Sequence, residues 1–149
     1  GGDKEIFNAI GDGVKDYVFP TMTPFWSDDV KGMKLVHKVS LQSDKSGKKQ
    51  RTHHYVRGVC SAFYMKEAME WAKKNGGITG ANIKRGMYAV KDWEPKGLEG
   101  ACMPATWTNE DHRGINTVNI YKGNYVDGEV KIDKVSEVTL ERRDDWLGY

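Results

Sequence analysis

The chain has 149 residues, enough for one domain of ordinary size. Apolar residues make up 38% and charged residues 30%, a normal to slightly polar balance for a globular protein, and five Trp, seven Tyr and four Phe supply bulk for a core. A formal charge of +2 is too small for the concentrated basic face of a nucleic-acid-binding domain, and the longest apolar run falls far short of the ~20 residues that span a bilayer.

The opening Gly1-Gly2-Asp3-Lys4-Glu5 has neither the basic start nor the apolar block of a secretory leader, as mature and truncated chains also lack. Ile6, Phe7 and Ile10 then form a short amphipathic piece. Gly11-Asp12-Gly13 reads as a turn and lacks the rest of any dinucleotide or phosphate-loop pattern. Tyr17-Val18-Phe19 predicts a strand, and Pro20 and Pro24 keep the next stretch extended. Ser27 as N-cap, with Asp28 and Asp29 in the first turn, predicts a helix running to about Leu41, with Val30, Met33 and Val36 on one face. Residues 42–52 (QSDKSGKKQRT) read as a solvated loop, because Gly47 stands alone and offers no phosphate cradle.

The spacing predicts a main helix over about 53–74. Tyr55, Val56, Val59, Cys60, Ala62 and Phe63 make its first half apolar on nearly all sides, a pattern of helices buried all round. Met65, Ala68, Met69 and Ala72 give the second half one apolar face, with Lys66, Glu67, Glu70, Lys73 and Lys74 turned outward. Gly76-Gly77 suits a left-handed helix stop, and Thr79 caps a further helix with Ile83, Met87 and Val90 on its buried side. The rest reads as β-structure. Ala101–Thr106 is a candidate strand and Asn109–Gly114 a polar turn. Ile115–Tyr121 and Val130–Val138 are strands joined by an Asp127-Gly128 hairpin signal. Glu141–Tyr149 is a charged tail containing Trp146-Leu147.

Few residues carry chemistry. His53-His54 are adjacent on a helix and point apart, whereas a metal pair there wants i, i+4 spacing. His37 and His112 have no acidic or cysteine companions at ligand spacing, and Asp111-His112-Arg113 has no nucleophile elbow or third partner. No metal, cofactor or catalytic set is therefore expected. Cys60 and Cys102 show no zinc-type spacing; two buried free thiols is the favoured reading, and a disulfide is the alternative that requires an oxidising compartment. Tyr17, Phe25 and Trp26 flank the Pro-rich segment, where they fill the core or receive a small ligand, since aromatics commonly line such sites at domain junctions.

Three stretches in order carry a resemblance: AIGDGVKDYVFPTMTP, YVRGVCSAFYMKEAMEWAKKNGGITGANIKRGM and GLEGACMPATWTNEDHRGINTVNIYKGNYVDGEV. Across roughly residues 8–135 the chain resembles the C-terminal part of type I periplasmic binding proteins, in particular the receptors of branched-chain amino-acid ABC transporters. The resemblance implies an α/β chain: a partial lobe of three helices followed by a C-terminal β-hairpin region, with residues 17–108 as a first-lobe segment and 109–149 as the closing hairpin and tail returning to the second lobe. It implies a ligand-capturing receptor and not an enzyme, placed in the periplasm or on the extracytoplasmic face, which takes an amino acid or similar small ligand and docks on a membrane permease.

Carried over, the residues near two interlobe crossings are Phe19 and Pro20, following Tyr17, and Trp107, Thr108 and Asn109. The pocket carboxylate of the amino-acid-binding members falls at or just before Gly1, where Asp3 and Glu5 offer carboxylates. Most of that family's ligand contacts come from the early part of each lobe, so this chain carries a remnant of the site. The bare Tyr55–Phe63 section of the helix predicts self-association, or exchange of segments with a second copy. A stand-alone α/β interaction domain is the alternative.

Overall fold

The computed structural model describes residues 4–146. In chain order the elements are α1 (Lys4–Ile10), a 3-10 turn (Gly11–Val14), β1 (Val18–Thr21), α2 (Met33–Ser40), α3 (His53–Lys74), α4 (Gly80–Tyr88), β2 (Ala105–Thr106), β3 (Gly114–Ile115), β4 (Thr117–Val126), β5 (Glu129–Thr139) and a closing 3-10 turn (Asp144–Trp146). Among the described residues this is a mixed helix-and-sheet fold of four α-helices and antiparallel strands, one helix more than the sequence pattern implied, because Lys4–Ile10 closes into α1.

The larger sheet has the order β1-β4-β5, all antiparallel. Pro20 sits in β1 at its edge, where a residue without an N–H leaves no ladder bond unmade. Asp127 and Gly128 join β4 to β5 with φ of +54° and +83°, the left-handed pair of a tight hairpin turn, as the sequence predicted. β4 alternates buried and half-buried residues along most of its length, as expected of a strand with one face on a core. β2 and β3 form a separate two-stranded ladder. The expected strand over 101–106 shrinks to Ala105–Thr106, because residues 98–102 turn back on themselves through bonds from Ala101 N–H and Cys102 N–H to Leu98 O.

The hydrophobic interior divides in two. One cluster holds Met33, Val36, Val56, Tyr64, Leu98 and Ala105 among others; the second holds Phe7, Val14, Phe19, Phe25 and Tyr121. The first is built by α2, α3, α4 and the 93–105 segment, the second by α1, β1, β4 and β5. They meet along the 21–25 segment and the start of α3, where Thr23 Oγ1 donates to His53 O at 3.2 Å.

The expected helix, with Ser27 as N-cap, begins five residues late, with Gly32 in the N-cap position. Asp28, read as a first-turn residue, uses its carboxylate elsewhere: Oδ2 accepts from Phe25 N–H at 3.0 Å and from the Tyr121 hydroxyl. α3 has the predicted bounds but not the predicted faces. Its first half is buried on one side, through Val56, Val59 and Cys60, while Ala62 is exposed and Tyr55 and Phe63 are half-buried. In its second half Tyr64, Ala68 and Ala72 are buried, whereas Met65 and Met69 are 47% and 38% exposed. Glu67 does not face out freely; it accepts from Trp93 Nε1 at 2.8 Å and Lys96 N–H at 2.7 Å.

The choice of Ala68 follows from α4. A Cβ on Gly86 would stand 2.7 Å from Ala68 O, so the two helices touch backbone to backbone at a position only glycine permits. Gly76 and Gly77 take φ of +107° and +99° in the connecting turn, and Thr79 Oγ1 accepts from Asn82 N–H, the predicted stop and cap. Ile83 and Met87 are half-buried as expected, but Val90 is exposed.

Cys60 and Cys102 form a disulfide, with Cα atoms 5.5 Å apart. This corrects the favoured reading of two free thiols. Both cysteines are indeed buried, and it is the turn over 98–102 that delivers Cys102 to the side of α3. Beyond β5 the tail is tied back: Arg142 Nη1 reaches Asp111 at 3.0 Å and Nη2 donates to Gly114 O. Leu147, the other apolar residue of the tail, lies outside the described residues.

Candidate functional site

At the junction of the two clusters lies a cleft of about 270 Å³. Three elements converge on it: α1 brings Glu5 and Asn8, the turn after β1 brings Phe25, Trp26 and Ser27, and the entry to α3 brings Gln50, Arg51, Thr52 and His53. Phe25 is held from behind by Tyr121, with ring centroids 4.8 Å apart and edge to face. His53 stands 5.7 Å from Phe25 on the other side. Trp26 is clamped between His37, at 4.2 Å, and Tyr55, at 6.2 Å. Trp26 O can only accept, so His37 Nε2, 3.1 Å away, carries the proton of that bond.

Arg51 is aimed by its own neighbours. Its Nε donates to Ser40 Oγ at 2.9 Å, Nη2 donates to Ser43 Oγ at 2.8 Å, and the guanidinium lies 5.0 Å from the centre of the Tyr55 ring. The Asp44 carboxylate lies near enough to feel its charge. Thr52, extended at φ −72° and ψ 162°, starts α3 at the cleft wall. The site thus has an aromatic floor, a fixed cation and the exposed Glu5 carboxylate at the rim.

Of the predicted ligand residues, Glu5, Phe25 and Trp26 come together here. Tyr17 does not: it lines a second hollow with Ile6, Phe7, Ile10, Phe19 and Pro20, and stacks on Phe19 at 5.5 Å. Asp3 lies outside the described residues. Of the predicted hinge residues, Phe19 and Pro20 are inside β1, paired with Tyr121 and Ile120. Trp107 packs edge-on against Tyr64, 5.1 Å away, and Trp93. Thr108 Oγ1 accepts from Glu110 N–H and Asp111 N–H and so caps the 108–111 turn, with Asn109 exposed at its tip.

Arg51 lies within the stretch expected to be a solvated loop and was not among the expected site residues. Its signal was present in retrospect: a cation immediately before an apolar helix, with serines at 40 and 43 to orient it. Among the described residues there is no group of three or more His, Cys, Asp or Glu able to hold a metal ion, and no helix is long and apolar enough to cross a membrane.

No family model matches the sequence, and no curated protein matches it. A solved structure does: the crystal structure of a branched chain amino acid ABC transporter from Thermus thermophilus with bound valine, at a TM-score of 0.67 and 16% identity, over 91% of this chain and 36% of that one. The fold is that of a partial type I periplasmic-binding-protein lobe. The chain spans little more than a third of the length of the protein it matches. At this identity the likeness concerns the fold; the chemistry of the cleft rests on the side chains described above.

Proposed function

We infer that this chain is part of an extracytoplasmic solute-binding receptor of an ABC transporter, which captures an amino acid or related small ligand and passes it to a membrane permease. The observation that carries the reading is the cleft itself: a carboxylate at Glu5 and a guanidinium at Arg51 on opposite elements, over the Phe25–Trp26 floor. A zwitterion needs that combination, its ammonium answered by Glu5 and its carboxylate by Arg51 and the N-terminal turn of α3. The ring faces of Phe25 and Trp26 suit an apolar side chain.

The two interior clusters support a two-lobed reading. In it the helices and turns within 17–108 are the first-lobe segment, and 109–149 return the chain to the second lobe as hairpin and tail. Val18–Thr21 pairs with β4, which supports reading that short strand with the returning segment. The Cys60–Cys102 bridge suits an oxidising, extracytoplasmic compartment. The exposed Ile6, Ile10, Tyr17 and Val18 around the free edge of β1 support self-association of the chain when it stands alone.

Calorimetric titration tests the reading, with the chain alone and within the longer receptor we infer. The panel holds branched-chain and other small amino acids, amides and aromatic acids. Saturable binding by an amino acid, weakened by both Glu5→Gln and Arg51→Gln, is the expected result. Absence of heat from every ligand in the longer receptor refutes it and leaves the interaction-domain reading.

A further inference from the structure

α3 presents a polar stripe that starts at His53 in the cleft wall and runs on beyond it. His53, Arg57, Ser61 and Tyr64 follow one another at helical spacing along one side of it. Against this stripe lie the segment leaving β1, with Met22 and Thr23, and the returning segment, with Trp107, Ile115 and Val118. Between them are two adjoining hollows of about 230 and 100 Å³, which share Met22, Thr23 and Arg57. The inner one is apolar, walled by Tyr64, Met103, Trp107, Ile115 and the Cys60–Cys102 bridge. The Tyr64 hydroxyl is already spent on Met103 O, so it turns a ring and not a polar group to the hollow.

Arg57 stands at the mouth, exposed, and among the described residues no hydrogen bond, ion pair or ring contact engages it. No aspartate or glutamate lines either hollow. That is the difference from the cleft, which has Glu5. A cation without a carboxylate, in front of a small apolar chamber, matches a molecule with one negative end and a short branched hydrocarbon tail. It gives an ammonium group no carboxylate partner.

We propose that this groove is a second ligand site, selective for short branched-chain carboxylates that lack an amino group, with Arg57 holding the carboxylate and the tail lying against Trp107 and Ile115. The site is independent of the amino-acid reading of the cleft.

The test uses isovalerate, its neutral isostere isovaleramide, and valine, which is isovalerate with an added ammonium. Binding is followed by calorimetry and by tryptophan fluorescence. Isovalerate is expected to saturate one site, and isovaleramide and valine to bind there at least about tenfold more weakly, as loss of a charge-assisted bond implies. Arg57→Gln is expected to weaken isovalerate by a similar factor, with Arg57→Lys between the two; the exposure of Arg57 keeps both variants folded, which circular dichroism checks. Failure of isovalerate to saturate, equal binding of isovaleramide, or equal valine binding that depends on Arg57 overturns the proposal. So does isovalerate binding that survives Arg57→Gln and is lost with Arg51→Gln, because the anion then sits in the cleft.

Discussion

The Tyr121 hydroxyl donates to Asp28 Oδ2, a bond between residues 93 apart in the chain. The same oxygen accepts from Phe25 N–H, so one carboxylate holds the turn under the cleft floor to the middle strand of the sheet. Burial, and then the neighbouring Asp28 charge, push the Tyr121 phenol far above its ordinary range. Burial does the same for Tyr64, helped by Glu94 and Glu67.

Tyr121→Phe is expected to cost about 1–3 kcal/mol, because it removes a bond to a charged acceptor and leaves that acceptor half-buried. Urea unfolding measures it. With a raised folded pKa, the tyrosine's contribution is intact below the unfolded value of about 10 and is lost as pH rises beyond it. The stability gap between wild type and variant should therefore narrow in alkali and stay constant from neutral pH to the onset of phenol ionisation.

Asp111 gives the opposite pH dependence. It accepts from Arg113 Nε at 2.9 Å and Nη2 at 2.8 Å, and from Arg142 at 3.0 Å. The Arg113 bonds, joined by Arg142, hold its carboxyl well below the usual range against a smaller burial effect. Its contribution is present above the unfolded pKa of about 4 and is lost as pH falls through the lower folded value. Asp111→Asn should destabilise the chain by about 1 kcal/mol at neutral pH, discounted for partial exposure, and the difference should fade on acidification. Thermal melts from pH 7 to 2 measure it.

Gly86→Ala tests the α3–α4 contact. The added methyl would meet Ala68 O at 2.7 Å, and backbone cannot yield as a flexible side chain can. A loss of about 1–3 kcal/mol is expected despite the better helix propensity of alanine. An unchanged or raised melting temperature would show that the helices are not in contact there.

The disulfide predicts that the folded oxidised chain gives no thiol signal with an aromatic disulfide reagent until reductant is added. Replacing both cysteines by serine should lower stability by about 2–4 kcal/mol. Free thiols in the native oxidised protein would refute the bridge.

Much of this architecture is legible in local chemistry. The bounds of α3, the Gly76-Gly77 stop, the Thr79 cap and the Asp127-Gly128 hairpin each depend on residues adjacent in sequence. What was not legible depends on partners far along the chain. Asp28 looked like a helix-start residue and serves instead as an acceptor for Tyr121. Met65 and Met69 fit an apolar face, yet Gly86 draws α4 onto Ala68 and leaves the methionines in solvent. The cleft was half legible: the aromatics Phe25 and Trp26 announced themselves beside the prolines, whereas Arg51 matters only because folding sets it opposite Glu5. Tyr17 failed as a cleft residue because α1 lies between it and Phe25's open side.

The bridge between Cys60 and Cys102 also encloses the Gly76-Gly77 turn, whose neighbour Asn75 is exposed. A protease that cut the chain once at that turn would divide it into two peptides still joined through sulfur. The severed protein would migrate as one species on a denaturing gel and as two after reduction. The helices on either side of the cut would keep each other's company, so damage at this bend need not release a single residue.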